Sequence, residues 1–173
     1  MAMDHIGSVS GTGSSAIMTL TGIPDTYETL LLKGAGYTSD NAGPVEAYIR
    51  FNSDTGSVYD NLQGGTKDGS TYTANAANTT MNQFAYIPGT DQANIVAQIE
   101  MNIAGYRAAA DQPGVCGFFS HSNFMYDSSD CNQMIWTGWY DGSNVDITTM
   151  SFHLSAGNWG TNSKFNLYGR TGE

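Results

Sequence analysis

Apolar and polar residues alternate along most of the chain with a period of two. That spacing puts successive side chains on opposite faces of a β-strand. The clearest run carries Ile95, Ala97, Ile99, Met101 and Ile103 on one face and Val96, Gln98, Glu100 and Asn102 on the other. A second sets Val45, Ala47, Ile49 and Phe51 against Glu46, Tyr48, Arg50 and Asn52. Weaker alternation predicts strands over 17–21, 29–37, 82–87, 115–121, 133–140, 145–154 and 163–169. Within 145–154 the apolar set slips from Val145 and Ile147 to Met150, Phe152 and Leu154, which predicts a β-bulge because a one-residue shift otherwise swaps faces. Leu20, Leu32, Phe152, Leu154 and Leu167 are expected to join the two clear faces in a shared core.

Turn signals separate these runs: Gly22-Ile23-Pro24-Asp25, Asn52 to Gly56, Pro88 to Asp91, Asp141-Gly142 and Ala156-Gly157-Asn158. Each supplies Gly, Asn or Asp where a turn needs positive φ or a local side-chain hydrogen bond. Pro24 between two strands fixes a rigid corner. At the Tyr168-Gly169 pair, the tyrosine is expected to cap the sandwich and the glycine to permit a final bend. Residues 63–80 show little periodicity and are expected to form a long surface excursion shaped by an oligomer neighbour. No stretch carries a sustained helical stripe, and 104–111 has room for one turn of helix at most. Short strands with evenly spaced turns and no crossover helices exclude a parallel α/β fold. They predict an all-β chain: one antiparallel β-sandwich of jelly-roll type, spanning 1–173 as a single domain.

Charge narrows the range of partners. Six Lys and Arg stand against sixteen Asp and Glu, a net charge of −10. Neither a polyphosphate nor an anionic bilayer is a suitable partner for so few cations, so no nucleic acid and no membrane are expected. The longest aliphatic stretch, Leu30-Leu31-Leu32, is far too short to span a bilayer, and Met1 to His5 does not read as a secretory leader. Only 13% of residues are charged, against roughly 25% in an ordinary soluble domain. Interfaces here must therefore rest on hydrogen bonds and shape rather than ion pairs. Cys116 and Cys131 fit neither a disulfide framework nor a four-ligand metal site and are expected as reduced, semi-buried thiols.

The search for chemistry returns little. His5, His121 and His153 lack ligand spacing, so no metal or other cofactor is expected. No Gly-x-Ser-x-Gly turn is present. Cys116 and His121, five residues apart on one strand, point to opposite faces. The acidic stretch 127–130 and the Asp54–Asp60 neighbourhood lack a calcium-loop pattern. No nucleophile, base and oxyanion site occur together, so the chain is expected not to be an enzyme. The aromatics are more informative: Trp136 and Tyr140 share one face of a strand, Trp139 takes the other, and Trp159 sits in a Gly-Asn-Trp-Gly segment. Trp136, Trp139, Tyr140 and Trp159 are the candidate interface or glycan contacts, with core packing as the competing role.

Segments in three regions of the chain carry a family resemblance. Met18 to Leu32 (MTLTGIPDTYETLLL) resembles the opening of a group of small phage virion proteins, and Phe51 to Tyr59 (FNSDTGSVY) is similar to a second stretch of theirs. Near the end, Val145 to Phe152, Ala156 to Trp159 and Phe165 to Gly169 resemble the same group, while the tail 170–173 extends past the usual stop. The resemblance implies a structural component of a virion, made in a bacterial host cytoplasm. Its expected role is an exterior capsid decoration (cement) protein, bound to the major capsid protein or other virion proteins. Self-association is expected too, as a trimer ahead of a dimer. The alternative is a receptor- or glycan-binding module of a tail or head fibre.

Overall fold

The computed structural model describes residues 3–39, 43–67, 70–91, 95–107, 115–125, 131–142 and 145–171. Among them the chain forms twelve strands and no helix. They are β1 (Met3–Ser10), β2 (Ile17–Thr21), β3 (Thr29–Gly36), β4 (Val45–Phe51), β5 (Tyr59–Lys67) and β6 (Ser70–Thr79). There follow β7 (Asn82–Ile87), β8 (Ala97–Ala104), β9 (Val115–Met125), β10 (Cys131–Asp141), β11 (Thr149–Leu154) and β12 (Lys164–Arg170). A large sheet runs β1-β12-β3-β8-β9-β10-β5-β6 and a small one β2-β11-β4-β7. Every ladder is antiparallel.

The pairing is nested. β1 pairs in the order of the sheets with β12, β2 with β11, β3 with β8 and β4 with β7, alternating between large and small sheet. A long hairpin rolled up on itself gives this order, which is the double Greek key of a jelly roll. Two hairpins are inserted into that frame, β5–β6 between β4 and β7 and β9–β10 between β8 and β11. They join edge to edge and extend the large sheet beyond the small one.

Both clear alternating faces enter the core. Val45, Ala47, Ile49 and Phe51 are buried, as are Ala97, Ile99, Met101 and Ile103, with Ile95 partly buried ahead of its strand. Leu20, Leu32, Phe152, Leu154 and Leu167 are buried beside them. An aromatic cluster fills the centre: Phe152 lies 5.8 Å from Phe84 and 4.9 Å from Phe165, and Trp159 meets Phe165 edge-on at 5.3 Å. The indole N–H of Trp159 donates to the Phe152 carbonyl at 3.1 Å, so the ring is buried with its polar atom paired.

Strand β7 ends the small sheet, yet all six of its residues are buried. A register shift between Ala47 and Tyr48 on β4 lets consecutive β7 residues Phe84 and Ala85 both be buried in the core. On the other side, the Tyr86 ring packs against Trp136 of β10 at 6.0 Å. The free edge of β7 meets the inner face of β9, where the Ser120 hydroxyl donates to the Phe84 carbonyl at 2.9 Å and Ser122 accepts from the Tyr86 N–H at 3.4 Å. Asn82 adds a donor to the Trp139 carbonyl at 3.0 Å. The large sheet thus wraps the edge of the small one.

Three expectations are corrected, and one strand is added. The described part of 63–80 is the end of β5 and the whole of β6, not an excursion. Tyr72, Ala74 and Ala76 do alternate inward, but between Thr, Asn and Gly the apolar contrast is faint. No bulged strand spans 145–154, because β11 begins at Thr149. Ile147 is buried in the preceding loop, with its N–H donating to the Tyr106 carbonyl at 2.9 Å. Strand β1 gave no apolar signal, since it is an edge strand with no fully buried residue. Gly169 makes no bend: it lies inside β12, and a Cβ there would stand 2.2 Å from the Tyr27 ring. Of 104–111, which has room for one helical turn, residues 104–107 form no helix and the rest lie outside the described residues.

Two substitutions test this packing. Ile99→Ala should cost about 2–5 kcal/mol in urea unfolding, the range for truncating a buried aliphatic. Ser120→Ala, which leaves the Phe84 carbonyl without that partner, should cost about 1–3 kcal/mol despite removing a single oxygen.

Candidate functional site

Strand β10 separates two environments. Its inner residues Met134, Trp136 and Tyr140 are buried, and Trp159 is buried elsewhere in the core, so three of the four candidate aromatics are interior. Trp139 alone of the four is on the surface, 49% exposed. Gly138 is required at its place because a Cβ would stand 2.7 Å from both the Phe118 ring and the Asp60 carbonyl oxygen.

On the outer face, register fixes a second group that sequence reasoning missed. Thr137 lies opposite Leu62 on β5 and Phe119 on β9, with Ile135 and Trp139 on either side of it along β10. All four apolar side chains are exposed, Leu62 most of all at 56%. They form a cross around Thr137, and directly opposing positions in a ladder bring Cβ atoms within about 5 Å. The signal was present in the sequence. Phe118-Phe119, Ile135-Trp136 and Trp139-Tyr140 are apolar on both faces, which a strand needs only when both faces are covered.

A third feature lies on the inner side. Where the β5–β6 hairpin overhangs the small sheet, a cleft of about 330 Å³ opens between them. Asn61 and Gln63 of β5 and Ala76 of β6 form one wall, and Tyr48 of β4, Met81 and Gln83 the other. Arg50 secures the rim, its Nε donating to the Thr80 carbonyl at 3.3 Å. The Trp136 indole N–H donates to Gln63 Oε1 at 3.1 Å. Among the described residues, three buried amide atoms have no partner: Asn61 Oδ1, Asn82 Oδ1 and Gln83 Nε2. The first and last belong to side chains that line the cleft.

The other polar pairs are structural in form. The Tyr48 hydroxyl donates to the Glu46 carboxylate, which also accepts from Tyr86 at 3.4 Å. Burial and then that carboxylate push the Tyr48 hydroxyl well above the usual tyrosine range. Tyr140 donates to Asp54 at 3.0 Å and is likewise raised, by burial first. Ser151 Oγ lies 2.9 Å from His153 Nε2, but burial and then Arg50 lower the imidazole pKa. A cation beside the ring disfavours the imidazolium, whereas a serine triad uses an anion to support it. Cys116 is a free, buried thiol, and His121 is on the opposite face of β9. Cys131 lies at the far end of the β9–β10 ladder from Cys116, opposite Met125.

Among the described residues, no group of three or more His, Cys, Asp or Glu is placed to hold a metal ion. The acidic stretch 127–130 lies outside the described residues. Among them too, no helix is long and apolar enough to cross a membrane.

The fold and surfaces define an all-β sandwich with an apolar outer patch and a polar inner cleft. No protein-family model matches the chain, and no curated protein matches it either. A solved structure described as Bacteroides ovatus Xyloglucan PUL GH43B is similar at a TM-score of 0.32 and 9% identity, over 88% of this chain. The likeness spans 32% of that protein and is too slight to carry any argument.

Burial gives a pH dependence with a definite sign. Cys116 rises from 9.0 to about 12 on folding, through burial alone. Tyr59 rises from 10.0 to about 12, chiefly through burial. Between those values the unfolded chain releases protons that the folded chain keeps, so stability is full below pH 9 and falls as pH rises. Thermal melts from pH 8 to 11 should show a falling Tm, with a shallower fall in Cys116→Ala.

Proposed function

We propose that the chain is a non-enzymatic structural protein of a phage virion, an exterior capsid decoration protein attached through the outer face of its large sheet. The observation that carries this reading is the cross of Leu62, Phe119, Ile135 and Trp139. A sheet face bearing four exposed apolar side chains, one a tryptophan, has the composition of an interface core. The resemblance of 18–32, 51–59 and 145–169 to small phage virion proteins supplies the setting, with major capsid subunits as the partner. The sparse charge of the chain suits a contact made by shape and hydrogen bonds. Self-association, as a trimer ahead of a dimer, belongs to the same reading. The second reading, a glycan-binding module of a tail or head fibre, is favoured by the exposed ring of Trp139.

Purified particles decide between them. A decoration protein should give a band on a stained gel comparable to that of the major capsid protein, and a fibre component a far fainter one. Trp139→Ala should weaken rebinding to stripped particles by about 30-fold, as loss of an interface anchor worth about 2 kcal/mol does. Its folding stability should stay within about 0.5 kcal/mol, because the ring is on the surface. Unchanged rebinding by Trp139→Ala and by Ile135→Asp together would remove the outer face from the proposal.

A further inference from the structure

The cleft under the β5–β6 hairpin has no part in attachment through the outer face, and its chemistry is different. Its side chains carry no charge: Tyr48, Asn61, Gln63, Ala76, Met81 and Gln83 line it together with two threonines. Asn61 is 7% and Gln83 5% exposed, and each holds a polar atom with no partner, an acceptor on Asn61 and a donor on Gln83. Buried polar atoms are nearly always paired, so two unpaired amides in the walls of one cleft mark groups left for a ligand.

The neighbours fix what that ligand must offer. An indole N–H can only donate, so Trp136 identifies the oxygen end of the Gln63 amide and leaves its NH₂ as a donor. The Tyr48 hydroxyl is engaged by Glu46, so its contribution to the wall is the ring. Ala76 and Met81 add further apolar surface. The wall therefore combines free amide donors and an acceptor with an aromatic ring and aliphatic carbon.

We propose that this cleft is a binding site for a short neutral saccharide. Sugar hydroxyls donate and accept at once, which is what an Asn61 acceptor beside Gln63 and Gln83 donors requires, and the C–H face of a pyranose matches the Tyr48 ring and Met81. The lining itself offers a uronic or sialic acid no counter-charge; the Arg50 guanidinium is on the rim, held to the Thr80 carbonyl. A peptide adding in the usual way, along a free strand edge, would take the outer edge of β6 rather than the cleft, because the β7 edge is already engaged by Ser120 and Ser122. The volume is at the small end of ligand sites, which run from roughly 300 to 1,000 Å³, so the site takes a short segment or a chain end.

The test is an NMR titration of the full chain, following side-chain amide signals. The probes are neutral mono- to tetrasaccharides of glucose, galactose, mannose and N-acetylglucosamine, uronic-acid oligosaccharides, and an uncharged Gly-Ser-Ala peptide. A neutral saccharide should shift the Gln63 and Gln83 NH₂ signals saturably, with a Kd of about 1 mM or tighter. Gln83→Leu and Asn61→Leu should each weaken that binding at least about tenfold. Neither should lower Tm, because each replaces an unpaired buried polar group with an apolar one. A merely structural amide would show the reverse, a lower Tm. The proposal is overturned if no neutral saccharide shifts these signals, or if the uronic acids or the peptide do so instead. Full binding by both leucine variants also overturns it.

Discussion

The edge of a sheet is a row of backbone groups that must be paired, covered or left in water, and the arrangement here turns on how β7 meets that requirement. Its free side runs into the inner face of β9, where Ser120 and Ser122 supply a donor and an acceptor at side-chain length. Serine is the residue for this position. It is small enough to let the edge approach, and its hydroxyl can act in either direction. Because the two sheets meet edge to face along β7, the extended half of the large sheet has something to curl around. Tyr86 and Trp136 pack in the angle so formed. The cleft exists because the β5–β6 hairpin continues past that line of contact.

Most of the sandwich frame was legible because strands such as β4 and β8 alternate strongly. Val45 to Phe51 and the run ending at Ile103 show their buried faces plainly, and the separation of Trp136 and Tyr140 from Trp139 follows from parity alone. The inserted strands were harder to read. Tyr72, Ala74 and Ala76 are set among Thr and Asn, and alanine buries too little surface for its period to stand out. Trp159 illustrates a different limit. Its Gly-Asn-Trp-Gly surroundings read as loop, whereas its ring is in the core, admitted because Gly36 has no Cβ where the ring lies. The cleft was invisible in sequence. Asn61, Gln63 and Gln83 are ordinary amides until the fold takes all three from water and leaves one atom of Asn61 and one of Gln83 without a partner.

The large sheet acts as a partition. Its outer side bears hydrocarbon at Leu62, Phe119, Ile135 and Trp139, and its inner side beyond β7 bears amides. Strands β10 and β5 contribute to both sides, so one ladder of alternating residues specifies two surfaces of opposite character. Under the attachment reading, a chain held by the outer face turns its cleft away from the surface it sits on. Substitutions at neighbouring positions such as Leu62 and Gln63 then act on different properties, since their side chains leave the sheet in opposite directions.

The nested pairing has a consequence for how the chain reaches its folded form. β12, the last strand, lies between β1 and β3, two of the earliest, and hydrogen-bonds to both. That half of the large sheet therefore stays open while the ribosome is still working through the C-terminal segment. β1 has no neighbour in its sheet other than β12. The seam closes across nearly the whole length of the sequence, the kind of long-range pairing that makes β-sandwiches slow to fold. During synthesis the outer edge of β3 waits exposed, and beside it the Lys33–Glu100 ion pair, closed at 3.0 Å across the β3–β8 ladder, sets charge where an apolar pair would invite the wrong chain.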